Sequence, residues 1–353
     1  MLCIMDGRDV TPLVNAATSS LSKNGCSRTM TVNVTQSATD TRIPKLELKT
    51  GVQLQFSSDG FDFFGVVSSI SVSTESSTAD IKAHDMGLYL NRNSVTKKIK
   101  GQTPSVTAKA LCSRFGIKTG YLESCGGFTF SRNFVSTSLY SAIMTGYTLA
   151  SEKTGKMYRM VFDGSLMCVV ERGSIVGGVV KPRQNLMLSS YSESMERVVN
   201  RVDMYDSDGN FVNSVKGDTS FGIMARAITL SDRVDRAYAE KILRDNKLSR
   251  TGTIQIYGNP QCVTGNAILV YESYTGLYGK FYIDADTHTW RNGLYTTKLT
   301  LNFENIMDEQ SAGSELEKSS EKQQAVQQEN DPQRPPMAHY GPHGNLIYEY
   351  PAP

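Results

Sequence analysis

The sequence lacks an excess of charge of either sign. Charged residues make up 20% of the chain, and the formal net charge is only +2. A protein that nucleic acid or an anionic membrane attracts through its overall field carries a larger imbalance or a basic cluster. The composition therefore gives no indication of specific nucleic-acid binding.

Long apolar runs are also absent. None approaches the ~20 residues that are needed to span a bilayer. Residues 1–10 carry Asp6, Arg8 and Asp9 where a signal peptide has an apolar core. We therefore expect no membrane insertion and no export signal, and we expect the chain to be made in the cytosol.

The six cysteines show no functional spacing. They form neither a C-x-x-C pair nor another arrangement typical of zinc ligands. Scattered cysteines in a cytosolic chain are typically reduced and partly buried. Neither a disulfide framework nor a zinc site is predicted.

Motifs of common enzymes are missing as well: there is no G-x-x-x-x-G-K-[ST] loop, no G-x-S-x-G elbow and no H-E-x-x-H pair. The best candidate for a hidden site is Asp284, Asp286 and His288, which would share one side of a strand and could bind a metal or exchange protons. We favour the alternative, a polar strand face toward solvent or a channel, because one strand rarely supplies all converging ligands. We expect no catalytic residue, no cofactor and no metal.

Residues that favour strands and turns are plentiful. Gly, Ser, Thr, Tyr and Val are common, and runs of helix formers are scarce. Alternating apolar residues predict strands at 28–34, 52–56 and 63–70. Further strand patterns lie at 79–83, 198–205 and 295–303. We expect a mainly β protein.

Three helices interrupt this pattern. One is predicted from Thr103, a hydroxyl N-cap followed by proline, to Gly116. Another begins near Ser136 or Thr137 and ends at Gly155. A third spans 232–246. An Asp163-Gly164 turn after the second helix predicts a hairpin, so residues 98–185 form a predicted α+β insertion.

Two β segments resemble each other at an offset of 214 residues. Residues 50–56 align with 264–270, and, without a gap, 63–67 align with 277–281. The matched glycines are Gly51 with Gly265 and Gly65 with Gly279. Glycine at the start of a strand permits the bend or bulge of a small barrel. Duplication explains the match better than a chance likeness of two hairpins, which is the alternative.

The second of these segments also resembles a known family. Residues 264–265, 278–283, 287–290 and 295–301 are similar to the late segment of baseplate hub proteins from contractile phage tails, including those of PBSX-like prophages and tailocins. The helix that opens at Thr103 resembles the start of that family's inserted domain. The likeness covers about residues 1–308 and rests on strand patterns rather than on a catalytic motif.

The resemblance implies a non-enzymatic structural protein of a virion or a phage-tail-like particle, assembled in the cytoplasm of a bacterial host. It implies a homotrimer whose two barrel-like domains per chain form a ring of six units, which joins a sixfold tail tube protein to a threefold spike and contacts other baseplate proteins. The implied domains are a first β-barrel domain at 1–97, the α+β insertion at 98–185 and a second β-barrel domain with one helix at 186–308. In an alternative assignment, part of 186–220 belongs to the first barrel and completes it.

The remaining segment, 309–353, is predicted to be a linker and an extended C-terminal tail. Its last residues are apolar and aromatic again, and Leu346, Tyr348 and Tyr350 would share one side of an extended strand. Such a strand can add to the sheet edge of a partner. The sequence does not distinguish between a peptide that docks on a partner and an apolar end without a function.

Two other functions need to be weighed. A tail-associated peptidoglycan hydrolase would require a carboxylate pair or a Cys/His site within 98–185, where the candidates are Asp163, Glu171 and scattered residues. A carbohydrate-binding β protein would require exposed aromatic residues, and Trp290 is the single tryptophan of the chain. Both alternatives have less support in the sequence than an assembly protein has.

Overall fold

The computed structural model describes residues 1–37, 40–73, 75, 77–231, 234–316, 337–340 and 346–349. Strands account for 50% of the chain and helices for 15%. The prediction of a mainly β protein is therefore confirmed. No helix in the described part of the chain is long and apolar enough to cross a membrane.

The chain begins with a group of antiparallel strands that we call unit 1. Its strands are β1 (Leu2–Met5), β2 (Arg8–Asp9), β3 (Val14–Ser22), β4 (Thr29–Thr35), β5 (Gln53–Ser58), β6 (Phe61–Ser73) and β7 (Thr78–His84). A short 3-10 helix, Thr11–Leu13, precedes β3. The strand order is β3-β4-β7-β6-β5-β1-β2. Every second residue of β4 is fully buried (Met30, Val32 and Val34), as expected for a strand with one face on a core.

An inserted α+β domain follows unit 1. Its elements are α1 (Gly87–Arg92), β8 (Ser94–Gln102), α2 (Pro104–Arg114), β9 (Thr119–Leu122), β10 (Phe130–Ser138), α3 (Leu139–Thr154), β11 (Tyr158–Asp163) and β12 (Leu166–Glu171). Strand β8 pairs with β10, and β9, β12 and β11 form a second sheet. A separate apolar core joins the helices to these strands.

Two of the three helices of the inserted domain, α2 and α3, form where the sequence predicts them, whereas α1 was not predicted. Thr103 caps α2 by accepting a hydrogen bond from the backbone of its third residue. Ser138 caps α3 in the same way, shortly after the predicted Ser136 or Thr137. Gly155 ends α3 with a φ of +68°, a conformation that costs glycine little.

After β13 (Val176–Val180) and β14 (Leu186–Ser194), the chain forms a small module. It contains β15 (Arg201–Tyr205), β16 (Phe211–Lys216), β17 (Ala225–Thr229) and α4 (Arg236–Asp245). Val202, Met204, Ala239 and Ile242 form its own core. The helix begins later than predicted because the carboxylate of Asp235 provides the N-cap.

The chain then returns to the main sheet as unit 2. Unit 2 consists of β13, β14, β18 (Ser249–Tyr257), β19 (Ala267–Glu272), β20 (Leu277–Arg291) and β21 (Leu294–Asn302). Its order is β14-β18-β21-β20-β19-β13, so 186–194 belongs to unit 2 rather than to unit 1. Two short strands near the C-terminus, β22 (Met337–Tyr340) and β23 (Leu346–Glu349), pair with each other.

The two units repeat the same five-stranded arrangement. The order β3-β4-β7-β6-β5 in unit 1 corresponds to β14-β18-β21-β20-β19 in unit 2. Two bulges recur at corresponding positions. One follows Val14 in β3 and Leu186 in β14. The other follows Val67 in β6 and Ile283 in β20. Because bulges are specific local features, a chance likeness of two hairpins does not account for this match.

The prediction of two closed barrels is not confirmed. No strand pairing among the described residues joins the two ends of either unit. In unit 1, the outer edge of β3 pairs with β20 of unit 2 instead of returning to its own sheet. The units therefore share one open sheet.

The six cysteines are free and buried, in agreement with their scattered positions in the sequence. Burial raises the pKa of four thiols to about 12, those of Cys3, Cys26, Cys112 and Cys262. These thiols are therefore apolar core groups at neutral pH rather than nucleophiles.

Candidate assembly interface between the two units

The two units meet along β20, the longest strand. Its first half pairs with β19 of its own unit, and residues 285–291 pair with residues 16–22 of β3 in unit 1. Tyr282 pairs with both β19 and β21, so these strands lie on opposite edges of β20. Strands β19 and β3 thus follow one another along the same edge. We call the β20–β3 contact the junction.

A buried ion pair holds the junction. The guanidinium of Arg28 donates two hydrogen bonds to the carboxylate of Asp286, at 2.6 and 2.9 Å. The backbone N–H and the hydroxyl of Thr264 donate to the same carboxylate at 2.6 and 2.7 Å. The Asp286 side chain is 0% exposed and that of Arg28 is 12% exposed. These partners come from three distant parts of the sequence.

The arrangement keeps both charges. Burial raises the pKa of Asp286, but the attraction and hydrogen bonds of Arg28, together with His288 Nε2 at 3.3 Å, outweigh it, so the pKa lies well below its ordinary value. Burial also opposes the charge of Arg28, and the proximity of Asp286 nevertheless raises the pKa of that guanidinium. The junction therefore contains a fixed ion pair at neutral pH.

Aromatic rings pack beside this ion pair. The Trp290 and Tyr295 rings are stacked, with centroids 4.6 Å apart and an angle of 9°. The Trp290 indole donates a hydrogen bond to Asp59 of unit 1 at 3.0 Å. His288 Nδ1 lies 2.8 Å from the Tyr295 hydroxyl. Unit 1 and unit 2 thus share one core at the junction, to which Trp290 belongs.

The prediction that Asp284, Asp286 and His288 form a polar strand face toward solvent or a channel is wrong for two of the three residues. Asp286 and His288 are buried, at 1% and 0% exposure, rather than turned to solvent or a channel. The bulge between Ile283 and Ala285 separates Asp284 from them. Asp284 instead binds Lys23 at 3.0 Å and also contacts Arg172.

No sequence signal identifies Arg28, Thr264 and Tyr295 as partners in this network. Arg28 is 258 residues from Asp286, and no local spacing relates them. A buried acid is expected to have a cation nearby, so the alternation of acids along β20 signals a partner without identifying it.

The described residues contain no cluster of three or more ligands that could hold a metal ion. Both Asp286 oxygens already contact Arg28. Asp163 and Glu171 lie at opposite ends of the β11–β12 hairpin, five residues apart along the ladder. That corresponds to roughly 16 Å, whereas the two carboxylates of a glycosidase are roughly 5–10 Å apart. This distance argues against Asp163 and Glu171 as the carboxylate pair that a hydrolase would require.

The first pair of repeated glycines has matching geometry. Gly51 and Gly265 have φ values of +83° and +87°. Each donates its N–H to the opposite strand, to Val67 O and to Ile283 O, both at 2.8 Å. These turns therefore open β5 and β19 in the same way.

The second pair does not occupy equivalent positions. Gly65 pairs with Leu54, and Gly279 pairs with Val270, two residues further along β19 than the position that matches Leu54. The physical reason is the loop before each glycine, which has two residues in unit 1 and four in unit 2. The gapless alignment therefore needs a two-residue shift after the turn.

The C-terminal prediction divides into two parts. As far as residue 316, the expected linker packs on α3 and β10: the Ala312 N–H donates to Thr145 Oγ1 at 3.0 Å, and Ser314 bridges Asn133. Leu346 and Tyr348 lie on β23, which pairs with β22 of the same chain. Tyr350 lies outside the described residues. A docking role for these three residues stays a prediction.

The fold and the junction define a class of protein. The chain is a duplicated β protein whose two units contact each other through strand edges, beside a buried ion pair. Segments with α-helices and β-strands are inserted between the units and within unit 2. Such a chain is suited to assembly through sheet extension.

Within this class, the chain belongs to the YQBQ-like family, whose sequence profile matches residues 17–302. It is 23% identical to the uncharacterized protein YqbQ of Bacillus subtilis (strain 168), over 61% of this chain and 70% of that protein. It is 21% identical to the phage-like element PBSX protein XkdQ of the same organism, over 66% of this chain and 75% of XkdQ. The resemblance to PBSX-like proteins is thus confirmed.

A solved structure has a similar fold. The crystal structure of the 43 kDa tail protein of prophage MuSo2 from Shewanella oneidensis matches with a TM-score of 0.67 and 14% identity. The match covers 87% of this chain and 98% of that one. The arrangement of two units with insertions is therefore a known fold.

Proposed function

We propose that this protein is a structural baseplate hub of a contractile phage tail or phage-tail-like particle. It acts as a trimeric ring that adapts a sixfold tail tube to a threefold spike. The observation that carries the proposal is the duplication of the five-stranded unit with both of its bulges. Three chains supply six equivalent units, which is the number that a sixfold tube requires.

The positions of the insertions support the change of symmetry. The α+β domain follows β7 in unit 1, whereas the segment after β21 in unit 2 instead runs to α3 of that domain. The small module lies between β14 and β18, but the corresponding strands β3 and β4 are joined by a short turn. A ring of three chains would therefore be sixfold in its sheet and threefold in its inserted domains.

The known proteins support the same role. Two of the similar proteins are a phage-like element protein and a prophage tail protein by name. We infer a location in the tail of a virion or tail-like particle, contacts with tube, spike and other baseplate proteins, and a role without catalysis. The C-terminal segment with Leu346, Tyr348 and Tyr350 remains a candidate docking peptide for one of these partners.

The mass of the purified full chain tests the proposal. Multi-angle light scattering is expected to give three times the 38.9 kDa chain mass, alone or after addition of the tail tube protein from the same particle. Averaged electron micrographs are expected to have a ring with six lobes in its sheet layer. A chain that remains monomeric in both conditions, or a closed assembly of another order, would overturn the proposal.

Catalysis is tested separately. Incubation with purified peptidoglycan is expected to release no soluble fragments above the level of a heat-unfolded sample. Release in proportion to protein concentration would favour the hydrolase alternative instead.

A further inference from the structure

Among the strand edges that have no partner in the described part of the chain, two belong to the repeated five-stranded arrangement and correspond to the edges that form the junction. One is the edge of β6 that lies opposite β7 and extends beyond β5, at residues 69–73. The other is the outer edge of β14, the terminal strand of the sheet. Exposed edges of this kind readily pair with another strand.

The duplication identifies what these edges correspond to. Strand β6 occupies the position in unit 1 that β20 has in unit 2, and β14 occupies the position that β3 has in unit 1. In the junction, β20 and β3 pair with each other on those same edges. The unpaired edges of β6 and β14 therefore correspond to the two edges that pair in the junction, but within one chain they do not pair with each other.

Exposure of the side chains agrees with a missing partner. Val72 corresponds to His288, because each lies five residues after the bulge of its strand. Val72 is nevertheless 57% exposed, whereas His288 is 0% exposed. Tyr191 matches Ser19 by its pairing, and it is 38% exposed whereas Ser19 is 0% exposed. The apolar side chain of Val72 and the aromatic side chain of Tyr191 are thus exposed at positions where the corresponding residues of the junction are buried.

We propose that residues 69–73 of β6 pair antiparallel with residues 190–194 of β14 in a second copy of this chain. The inference rests on the proposed trimer and specifies its interface. The register follows from the junction, in which His288 lies opposite Ser19: Val72 lies opposite Tyr191, and Ile70 lies opposite Glu193. Three such contacts alternate with three junctions and close the ring.

The two kinds of contact differ in chemistry. Ile70 stands where the junction has Asp286. The glutamate opposite Ile70 has its own partner, since Arg250 of the same chain binds Glu193 at 3.2 Å. The contact between chains therefore has apolar side chains at Ile70 and Val72 in place of a buried ion pair. Arg28 favours β20 over β6 as the neighbour of β3, because pairing with β6 would place Ile70 where Asp286 accepts two hydrogen bonds from the buried guanidinium.

Disulfide trapping tests the register. The full chain with Val72→Cys and Tyr191→Cys is expected to form covalent trimers on mild oxidation, since opposite residues in a ladder are roughly 4.5–5.5 Å apart. Co-expressed single variants are expected to give covalent dimers only. The pair Ser71→Cys with Tyr191→Cys is the matched control, because adjacent residues face opposite sides of a sheet. Linkage in the control but not in the test pair would overturn the register.

A charge substitution tests the contact itself. Val72→Lys would bury an ammonium against Tyr191, so the trimer is expected to dissociate at roughly tenfold or more higher protein concentration than the unmodified chain. Val106→Lys on α2 is the control, because Val106 has a similar exposure of 54%. A trimer that resists Val72→Lys overturns this interface but leaves the hub proposal intact. A monomeric unmodified chain overturns both.

Discussion

Removal of the Arg28 side-chain charge provides a quantitative test of the junction. Replacement by methionine keeps most of the volume but leaves the Asp286 carboxylate, which is 0% exposed, without its cation. Breaking a buried pair in this way costs about 3–5 kcal/mol. With a urea dependence of about 2–3 kcal/mol per molar, the midpoint of unfolding falls by roughly 1–2.5 M.

The single tryptophan is a local probe for this experiment. Trp290 is 3% exposed at the junction, so its emission is expected to shift to longer wavelength when the two units separate. Arg28→Met with Asp286→Asn is expected to regain most of the loss, because no unpaired charge remains and the amide oxygen still accepts from Thr264. Arg42→Met is the control, since its pair with Asp40 is exposed and should leave the midpoint unchanged.

The pH dependence gives an independent check. The pKa of Asp286 is depressed in the folded protein, so its contribution to stability is present above the unfolded value of about 3.9 and is lost as pH falls through the folded pKa. Arg28→Met removes the cation that lowers this pKa. The difference between the urea midpoints of Arg28→Met and the unmodified chain should therefore have its maximum value at pH 7 and should decrease below about pH 4. Equal midpoints for Arg28→Met and Arg42→Met at pH 7 would refute a structural ion pair.

Three further predictions follow from individual contacts. Gly265→Ala should lower the urea midpoint more than Gly51→Ala, because both positions have positive φ but only the first places the new methyl group 2.0 Å from Arg159 Cδ; equal effects would show that the Arg159 contact is unimportant. Ending the chain after residue 316 should leave the thermal midpoint of the inserted domain unchanged, whereas ending it after 306 should lower that midpoint, since Met307 is part of its core; calorimetry of both truncations distinguishes these outcomes. The folded chain should react with a thiol reagent at pH 8 far more slowly than the urea-unfolded chain, because all six cysteines are buried; rapid reaction of any thiol in the folded chain would contradict that burial.

The sequence predicted the local elements well, because their signals are local. The Thr103 cap, the Gly155 helix end and the hairpin at Asp163-Gly164 each depend on neighbouring residues and appear as expected. Closed barrels did not follow from the same patterns. Alternation defines which face of a strand is buried but says nothing about which strand lies beside its edge.

The limits of sequence reasoning at the junction have the same origin. The offset of 214 residues identified Gly51 and Gly265 but misaligned Gly65 and Gly279, since a loop that is two residues longer changes the ladder register without changing the residue pattern. Only the pairing partners and the recurring bulges restore the correct correspondence. That correspondence places Val72 opposite Tyr191 of another chain, although neither residue has a sequence signal of its own. In a duplicated protein, the contact inside one chain is therefore the best available template for the contact between chains.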